Sequence, residues 1–476
     1  MRRRALPRLG APLHVPAGDI ADQRAGVGRR PSSLRPCRTP RSRERLGFPQ
    51  EDDSASRNQV YDNAMTFAAT TSKRPATGAL MLLGPALVAG VAYLDPGNVA
   101  SNVTAGARHG YLLIWVVVSA NLVAWLIQYL SAKLGVVTGK SLPELCGERI
   151  GSRAGRIAYW IQAEGVAMAT DLAEVIGGAV ALWLLFDVPL LVGGLITGGV
   201  SLVLLAVQSQ RGPRAFEHVV IGLLAVIVLG FTWGVVVAPP DPLGIAAGLV
   251  PRFEGSGSVL LAVSVLGATI MPHAIYAHSS LSRDRFRDRR ALSTPRLLRA
   301  TRIDVSVAMV IAGSVNVAMM LLAAANLAGV EGTDTLEGAH AALGASLGPV
   351  VATMFAIGLL ASGLASTSVG AYAGAEIMQG LLRVRVPLLA RRLVTLVPAL
   401  VVLWLGVDPT LALVLSQVVL SFGIPFALIP LVRLTADRRL MGPHVNRIWT
   451  TIAGGVAAAA LAALNAVLLW LVLTGA

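Results

Sequence analysis

From residue 77 onward the chain is dominated by long apolar runs, which short segments rich in charge, proline or glycine separate. A helix needs about 20 predominantly apolar residues to cross the hydrocarbon core of a bilayer. The runs here are 20 to 35 residues long, so the pattern predicts a transmembrane protein built of helices. The eleven predicted spans lie near 77–106, 111–135, 155–183, 187–208, 215–238, 256–281, 303–328, 347–381, 387–406, 409–433 and 448–474.

The composition agrees with this pattern and excludes a soluble protein. Apolar residues make up 54% of the 476 positions and charged residues only 14%, and the mean hydropathy is +0.66. The net charge of +14 is concentrated in residues 1–45, which hold twelve Arg against two Asp and one Glu. We expect residues 1–76 to form a disordered Arg-rich tail, because this segment has no sustained periodicity. The transmembrane domain is then 77–476.

The charged loops predict how the spans are oriented. The loop between spans 6 and 7, SRDRFRDRRALSTPRLLRATR, carries eight Arg and two Asp, whereas the loops on the opposite side, such as APPDPLG, hold no Lys or Arg. Cytoplasmic loops carry the excess of Lys and Arg. We therefore predict a cytoplasmic N-terminus and an extracytoplasmic C-terminus in a plasma membrane. Topology explains the arginine loop, and no nucleic-acid partner is expected.

Two of the spans contain signals that break a helix. Span 1 is interrupted at Asp95-Pro96-Gly97 within AYLDPGNVA, and span 6 is interrupted at Pro272 within GATIMPHAIYAHSS. Proline removes a backbone donor and obstructs the preceding turn. The breaks occupy equivalent positions if 77–238 and 256–433 are inverted halves, with 448–474 as an extra helix. Corresponding interrupted helices are the sequence pointer to a binding site at the middle of the membrane.

Polar groups surround both predicted breaks. An ionisable group at this depth is costly and is a functional candidate by default. Oxygen ligands alone suit Mg(II) or Ca(II), and a methionine sulfur favours softer ions such as Mn(II), Fe(II), Co(II) and Cd(II). His273, next to Pro272, could carry a proton rather than bind metal, since imidazole titrates near neutral pH. The candidate ligands are Asp95, Asn98, Met271 and the backbone carbonyls of Ala92 and Ala268.

A second polar group lies on span 3, in QAEGVAMATDLAEVIGG. At about 100° per residue, Glu164, Asp171 and Glu174 share one side of the helix. Buried carboxylates repel one another and bind protons more readily, which is typical of a proton relay. Arg391 and Arg392 in LLARRLVTLVPAL could supply counter-charges. A structural salt-bridge network is the alternative, and the two roles can coexist.

The motifs DPGN, ATIMPH and ATDLAE and the loop SAKLGVVTGKSLPELC resemble those of the natural resistance-associated macrophage protein (Nramp) family of proton-coupled divalent metal transporters. The resemblance covers about residues 77 to 474. It implies the eleven-helix version of the leucine-transporter-like 5+5 inverted repeat, with discontinuous helices 1 and 6.

The resemblance also implies roles for individual residues. Met271 places the chain with the members that move transition metals, although Ala274 stands where many members have asparagine after MPH. The implied metal ligands are Asp95, Asn98, Met271, the carbonyls of Ala92 and Ala268 and, when the site is closed to the outside, Gln417. The implied proton pathway consists of His273, Glu164, Asp171, Glu174, Arg391 and Arg392. Asn121 and Asn316 resemble residues of the outer gate.

The sequence thus predicts a secondary transporter that imports Mn(II), with Fe(II) close behind, together with protons by alternating access. The metal is the substrate and no cofactor is expected, nor is the protein expected to be an enzyme. Its partners would be divalent ions, protons and the bilayer, and it would act as a monomer. Two alternatives remain: a sodium-coupled amino-acid or amine transporter of the same fold, and a membrane metal sensor that transports nothing.

Overall fold

The structure is a computed structural model, and it describes residues 84–211, 213–287, 292–384 and 387–474. The predicted tail at 1–76 and the start of the first predicted span lie outside the described residues.

Helices make up the regular structure of the described residues, and no strand occurs among them. In chain order they are α1 (Pro85–Val91), α2 (Pro96–His109), α3 (Ile114–Thr138), α4 (Leu142–Arg149), α5 (Arg153–Phe186), α6 (Leu190–Arg211), α7 (Pro213–Val237), α8 (Pro242–Gly248), α9 (Gly255–Thr269), α10 (Pro272–Phe286), α11 (Thr294–Asn326), α12 (Leu336–Leu347), α13 (Pro349–Leu382), α14 (Leu388–Trp404), α15 (Pro409–Thr435), α16 (Arg438–Met441) and α17 (Ile448–Thr474). Short 3-10 turns follow α1, α2 and α16, at Ala92–Leu94, Gly110–Leu113 and Gly442–His444.

Eight helical segments of the described residues are long and apolar enough to cross a membrane. One of them, Pro96–Thr138, contains both α2 and α3, which the turn at Gly110–Leu113 separates. Shorter apolar helices occupy Pro85–Leu94 and Leu190–Leu204, and α14 has 17 residues. The predicted all-helical membrane architecture is confirmed, while the number of eleven spans stays a prediction.

Both predicted helix interruptions are present, so the discontinuous helices are confirmed. α1 passes into the 3-10 turn, Asp95 is extended (φ −69°, ψ 164°), and α2 then begins at Pro96. α9 ends at Thr269, Met271 is extended (φ −65°, ψ 119°), and α10 begins at Pro272. Proline is favoured at the first position of a helix because its missing N–H has no partner there anyway. Each proline therefore begins the second half of its helix.

The packing of the helices relates the two interrupted helices to each other. α3 packs against α10, and α11 packs against α2 in the corresponding way. α10, in the second half of the chain, is thus packed against α3 of the first half, and α2, in the first half, is packed against α11 of the second half. This exchange is what an inverted repeat of α1–α7 and α9–α15 produces. α13 packs along α5 and α7, and α15 packs against α9, so the interrupted helices lie among full-length helices.

The distribution of side chains is that of a membrane protein. Large apolar side chains such as Leu122 and Val310, each 67% exposed, cover the outside of the helices, while Asp95, Asn98 and Asp171 are fully buried. Trp404 and Trp449, at the end of α14 and the start of α17, are also exposed. Tryptophan at helix ends is typical of the membrane–water interface.

Candidate functional site

Asp95 lies at the first helix interruption as the N-cap of α2. Its Oδ1 accepts a hydrogen bond from the backbone N–H of Asn98 at 2.8 Å, and its Oδ2 accepts one from Gln417 Nε2 at 3.4 Å. A carboxylate is favoured at a helix N-terminus by the free N–H groups and the helix dipole. Within the described residues, no Lys, Arg or His nitrogen forms an ion pair with it. Among the described residues, its charge is thus balanced by dipoles and amides alone.

Asn98 joins the two interruptions. Its Nδ2 donates to the carbonyl of Tyr93 at 2.5 Å and to that of Ala268, on α9, at 3.3 Å. Its Oδ1 accepts from Asn102 Nδ2 at 3.0 Å and keeps a second lone pair. The carbonyl of Ala268 therefore points toward the residues that follow Asp95. Ala92, the other predicted carbonyl ligand, is buried at the start of the 3-10 turn.

Met271 is the N-cap residue at the second interruption, as Asp95 is at the first. It is the N-cap of α10 and is fully buried, and no hydrogen bond from its side chain caps the helix. A serine, threonine, aspartate or asparagine is preferred at an N-cap. The thioether at this position forgoes that stabilisation, and Met271 packs among buried apolar side chains.

Gln417 on α15 contacts both interruptions. A Cβ added to Gly97 would lie 1.7 Å from Gln417 Nε2, and one added to Gly267 would lie 1.9 Å from the Gln417 carbonyl oxygen. Glycine is therefore required at both positions for α15 to approach. The side-chain oxygen Oε1 of Gln417 is buried and has no hydrogen-bond partner in the part of the chain that the structure describes.

Three carboxylates of α5 face two arginines of α14. Arg391 pairs with Glu164 at 2.7 Å, and Arg392 pairs with Asp171 at 2.6 Å and with Glu174 at 3.5 Å. Glu164 and Arg391 retain slight exposure, and the other three side chains are essentially inaccessible. If all five were ionised, this carboxylate–arginine cluster would carry one excess negative charge.

The third helix in contact with the carboxylate–arginine cluster is α13. A Cβ at Gly374 would lie 2.0 Å from the guanidinium of Arg391, and one at Gly370 would lie 3.0 Å from Glu174 Oε1. Arg392 also donates to the Ser201 hydroxyl from Nε at 3.0 Å and to the Thr367 hydroxyl from Nη2 at 3.4 Å. The absence of a side chain at Gly370 and Gly374 makes room for the ions, and the two hydroxyls accept hydrogen bonds from Arg392.

His273 lies between the helix interruptions and the carboxylate–arginine cluster. It follows Pro272 at the start of α10, and its Nδ1 is 3.2 Å from the hydroxyl of Thr170, the residue before Asp171. Its buried Nε2 has no partner among the described residues. α5 also touches the first interruption, because a Cβ at Gly177 would lie 2.0 Å from the Cβ of Pro96. The residues at the helix interruptions and the carboxylate–arginine cluster therefore lie in one continuous buried region.

The two residues expected at the outer gate have different surroundings. Asn316 is fully buried, and both polar atoms of its amide are without a partner in the described residues. Asn121 is only half-buried, donates to the carbonyl of Val117 at 2.8 Å and lines a groove between α3 and α11. The structure does not bring Asn121 into the hydrogen bonds of Asp95.

Sequence reasoning missed two groups of polar residues around α1. The buried carboxylate of Asp304 on α11 accepts from the backbone N–H of Gly84 at 3.1 Å and from that of Ala86 at 2.9 Å. Gln128 on α3 donates to the Tyr93 hydroxyl and accepts from His278 Nδ1 at 2.6 Å when that nitrogen is protonated. Asp304 is the sole acid of α11, and that isolation was the available signal.

The donor set at the interruptions suits a particular class of ion. In the described residues, no group of three or more His, Cys, Asp or Glu side chains could hold a metal. One carboxylate, two side-chain amides, a thioether and a backbone carbonyl are available instead. Such a mixed set of oxygen and sulfur donors accepts first-row divalent ions.

Comparison with known proteins also indicates a divalent metal transporter family. The sequence profile of the Nramp family, described as natural resistance-associated macrophage protein-like, matches residues 86–471. The divalent metal cation transporter MntH of Mycobacterium tuberculosis is 59% identical over 395 residues, which are 83% of this chain and 92% of that protein. Because this relative is named as a transporter, the prediction that the chain is not an enzyme is confirmed.

Solved structures place the fold in the same group. The Eremococcus coleocola manganese transporter, crystallised with an aromatic bis-isothiourea compound, has a TM-score of 0.74 and 31% identity over 83% of this chain and 87% of its own. MhsT in complex with L-phenylalanine has a TM-score of 0.50 and 13% identity over 80% and 98%, a likeness of fold alone. The chain belongs to the Nramp family.

Proposed function

We propose that the protein is a secondary active transporter that imports divalent transition-metal ions with protons by alternating access. The observation that carries the proposal is Asp95, a fully buried carboxylate without a cationic partner in the described residues, set between two helix interruptions. A buried charge of this kind is costly unless something binds it. A divalent cation supplies the missing charge.

Mn(II) is the first candidate substrate and Fe(II) the second, with Co(II) and Cd(II) also accepted. Asp95, Asn98, Met271 and the carbonyls of Ala92 and Ala268 would form the site, and the side-chain oxygen of Gln417, which has no partner among the described residues, would join it when the site closes. The carboxylate gives charge, and the thioether of Met271 disfavours Ca(II) and Mg(II), which prefer oxygen. The names of the relatives support the metal and the choice of manganese.

The proton route would run from His273 into the carboxylate–arginine cluster. The Nδ1 of His273 reaches the hydroxyl of Thr170, and the cluster has three carboxylates for two arginines. One bound proton would make the cluster neutral, so it can gain and lose a proton without leaving two uncompensated charges in the membrane.

The orientation of the protein would follow its charged loops. Arg283, Arg285 and Arg287 end α10, and Arg296 begins α11, so one side of the molecule is rich in arginine. The positive-inside rule makes this the cytoplasmic side, with the N-terminus there and the C-terminus outside. Rocking of the interrupted helices against their neighbours would open the site to each side in turn. Nothing in this mechanism requires more than one copy of the chain.

A sodium-coupled amino-acid transporter is the main rival, because MhsT, which holds L-phenylalanine, has the same fold. A transporter of that kind has no use for Met271 beside Asp95. The second rival, a metal sensor, would bind ions without moving them.

The test is uptake into proteoliposomes that hold a metal-sensitive dye and are given an inward proton gradient. We expect time-dependent accumulation of Mn(II), competition by Fe(II) and Cd(II) rather than by Ca(II), and no accumulation of amino acids. Binding of Mn(II) without accumulation would favour the sensor, and sodium-driven amino-acid uptake would overturn the proposal.

A further inference from the structure

A groove of about 470 Å³ opens on the outer surface between α3 and α11, away from the candidate metal site. Its walls are apolar and include Leu122 and Val310, both 67% exposed, as well as Met309 and Val317. Gly313 provides the space at its centre, because it has no side chain and lies against Asn121. A surface of this kind faces the acyl chains of lipids.

The groove continues in the sequence of both helices toward the arginine-rich side. On α3, Val118, Leu122, Trp125 and Tyr129 follow one another at spacings of three and four residues, which place them along one face. On α11, Met309 and Ser306 lead in the same way to Arg302. In this direction the α3 face changes from apolar to aromatic, and the α11 face changes from apolar through a hydroxyl to cationic.

Contacts between the two helices fix this end of the groove. Trp125 Nε1 donates to the Ser306 hydroxyl at 3.0 Å, and the indole stacks on Tyr129 with ring centroids 6.5 Å apart. The guanidinium of Arg302 lies 5.1 Å from the centroid of the Tyr129 ring, and its Nη2 is 3.4 Å from the tyrosine hydroxyl. Tryptophan and tyrosine in this arrangement are typical of the level of lipid headgroups.

The charge of Arg302 is available to a ligand. The residue is exposed, and so is Arg299 one turn earlier, and neither forms an ion pair within the described residues. From Arg302 to Gly313 a helix rises about 16 Å. This is close to half of a hydrocarbon core of about 30 Å, the depth of one leaflet.

We propose that this groove binds a phospholipid with an anionic headgroup, which pairs with Arg302 and lays an acyl chain along the face from Trp125 to Gly313. The charge at one end selects the anionic headgroup over a zwitterionic one, and the apolar walls select a lipid over a soluble anion. The proposed lipid contacts use none of the candidate metal ligands, so this proposal does not depend on the function proposed above.

The experiment uses quenching of tryptophan fluorescence by brominated acyl chains in vesicles. The full chain is placed in phosphatidylcholine vesicles with small fractions of brominated phosphatidylglycerol or, separately, brominated phosphatidylcholine. The chain has eight tryptophans, so the signal of Trp125 is the difference between the parent and Trp125→Phe. We expect the apparent affinity at Trp125 to be roughly fivefold higher for phosphatidylglycerol, the usual factor for one cation near an anionic lipid.

Variants of Arg302 decide whether the guanidinium is responsible. Arg302→Gln should remove the preference, and Arg302→Lys should keep most of it. Arg153→Gln, an exposed arginine at the start of α5, is the matched control and should change nothing. Equal quenching by the two lipids, or a preference that survives in Arg302→Gln, would overturn the proposal.

Discussion

The two buried polar groups of this protein balance their charge in opposite ways. Asp95 accepts hydrogen bonds from the Asn98 N–H and from Gln417, and within the described residues it has no cation. The carboxylate–arginine cluster holds Arg391 at 2.7 Å from Glu164 and Arg392 at 2.6 Å from Asp171. Both groups are buried in a chain whose long helices are apolar.

The difference separates a group that needs a partner from one that already contains its partners. An isolated carboxylate in a membrane is stabilised by whatever cation can reach it, which suits a binding site for an external ion. A cluster with nearly equal charges is stable without such an ion and can respond to a single proton. The comparison therefore predicts that substitutions at Asp95 act on metal, and that substitutions in the cluster act on stability and on protons.

The largest effect is expected from Asp95→Asn. Asparagine is as good an N-cap as aspartate, so the fold should persist while the charge is lost. Loss of a partner that only orients a metal ligand typically costs 10-fold to 100-fold in affinity or activity. We expect loss of the charged ligand itself to lower Mn(II) uptake by at least about 100-fold in proteoliposomes.

The control for Asp95→Asn is the thermal unfolding midpoint of the purified variant, which should stay near that of the parent. Uptake that remains within tenfold of the parent would contradict the role of Asp95 as a ligand. If the unfolding midpoint and the uptake both fell, the carboxylate would instead act by capping the helix.

A second large effect, on stability rather than on transport, is expected from Arg392→Gln. This change leaves Asp171 and Glu174 without their nearest cation, and breaking a buried pair by removing one partner costs about 3–5 kcal/mol. We expect a lower free energy of unfolding in denaturant titrations in detergent. The double variant Arg392→Gln with Asp171→Asn should recover part of the loss, because it removes one negative charge as well. An unchanged midpoint in the single variant would mean that the ion pair contributes nothing to stability.

A smaller effect, on protons rather than metal, is expected from Asp171→Asn. The change keeps the size of the side chain and removes one of the three carboxylates. A positioned proton-transfer group often contributes 100-fold or more to a rate, so proton uptake measured with a pH-sensitive dye should fall on the order of tenfold to 100-fold. Mn(II) affinity should change much less. Loss of Mn(II) affinity with unchanged proton flux would reverse the assignment of the two groups.

The helices, their interruptions and the shared face of the three carboxylates could be predicted from the sequence, because each follows from a local pattern. Apolar runs predict helices, since both hydropathy and length are visible along the chain. Pro96 and Pro272 mark the interruptions for the same reason. The 3.6-residue period places Glu164, Asp171 and Glu174 on one side of α5, and the structure has all three facing the same arginines.

The contacts that complete the two groups could not be predicted in this way, because they join distant segments. The family resemblance implied Gln417 as a ligand, but its contact with Asp95 depends on the fit of α15 against Gly97 and Gly267, which no local pattern reveals. Asp304 binds backbone groups more than 200 residues away in sequence. The helices α4 and α12 were missed for another reason: they are short and lie between the apolar runs that served as the signal.

The smallest effect is expected from Met271→Ala, which tests whether the helix interruptions select the ion as well as bind it. The charge of Asp95 is untouched, so Mn(II) transport should remain measurable. The sulfur is the soft donor of the set, and its loss should reduce the preference for Mn(II) over Ca(II) by about tenfold, or ~1.4 kcal/mol. Competition between the two ions in proteoliposomes measures this ratio. Met271→Leu is the matched control, because it has a similar volume without sulfur and should lose selectivity as alanine does. If leucine kept the parent ratio, the side chain would act by filling space, and the selectivity would have to come from the oxygen donors alone.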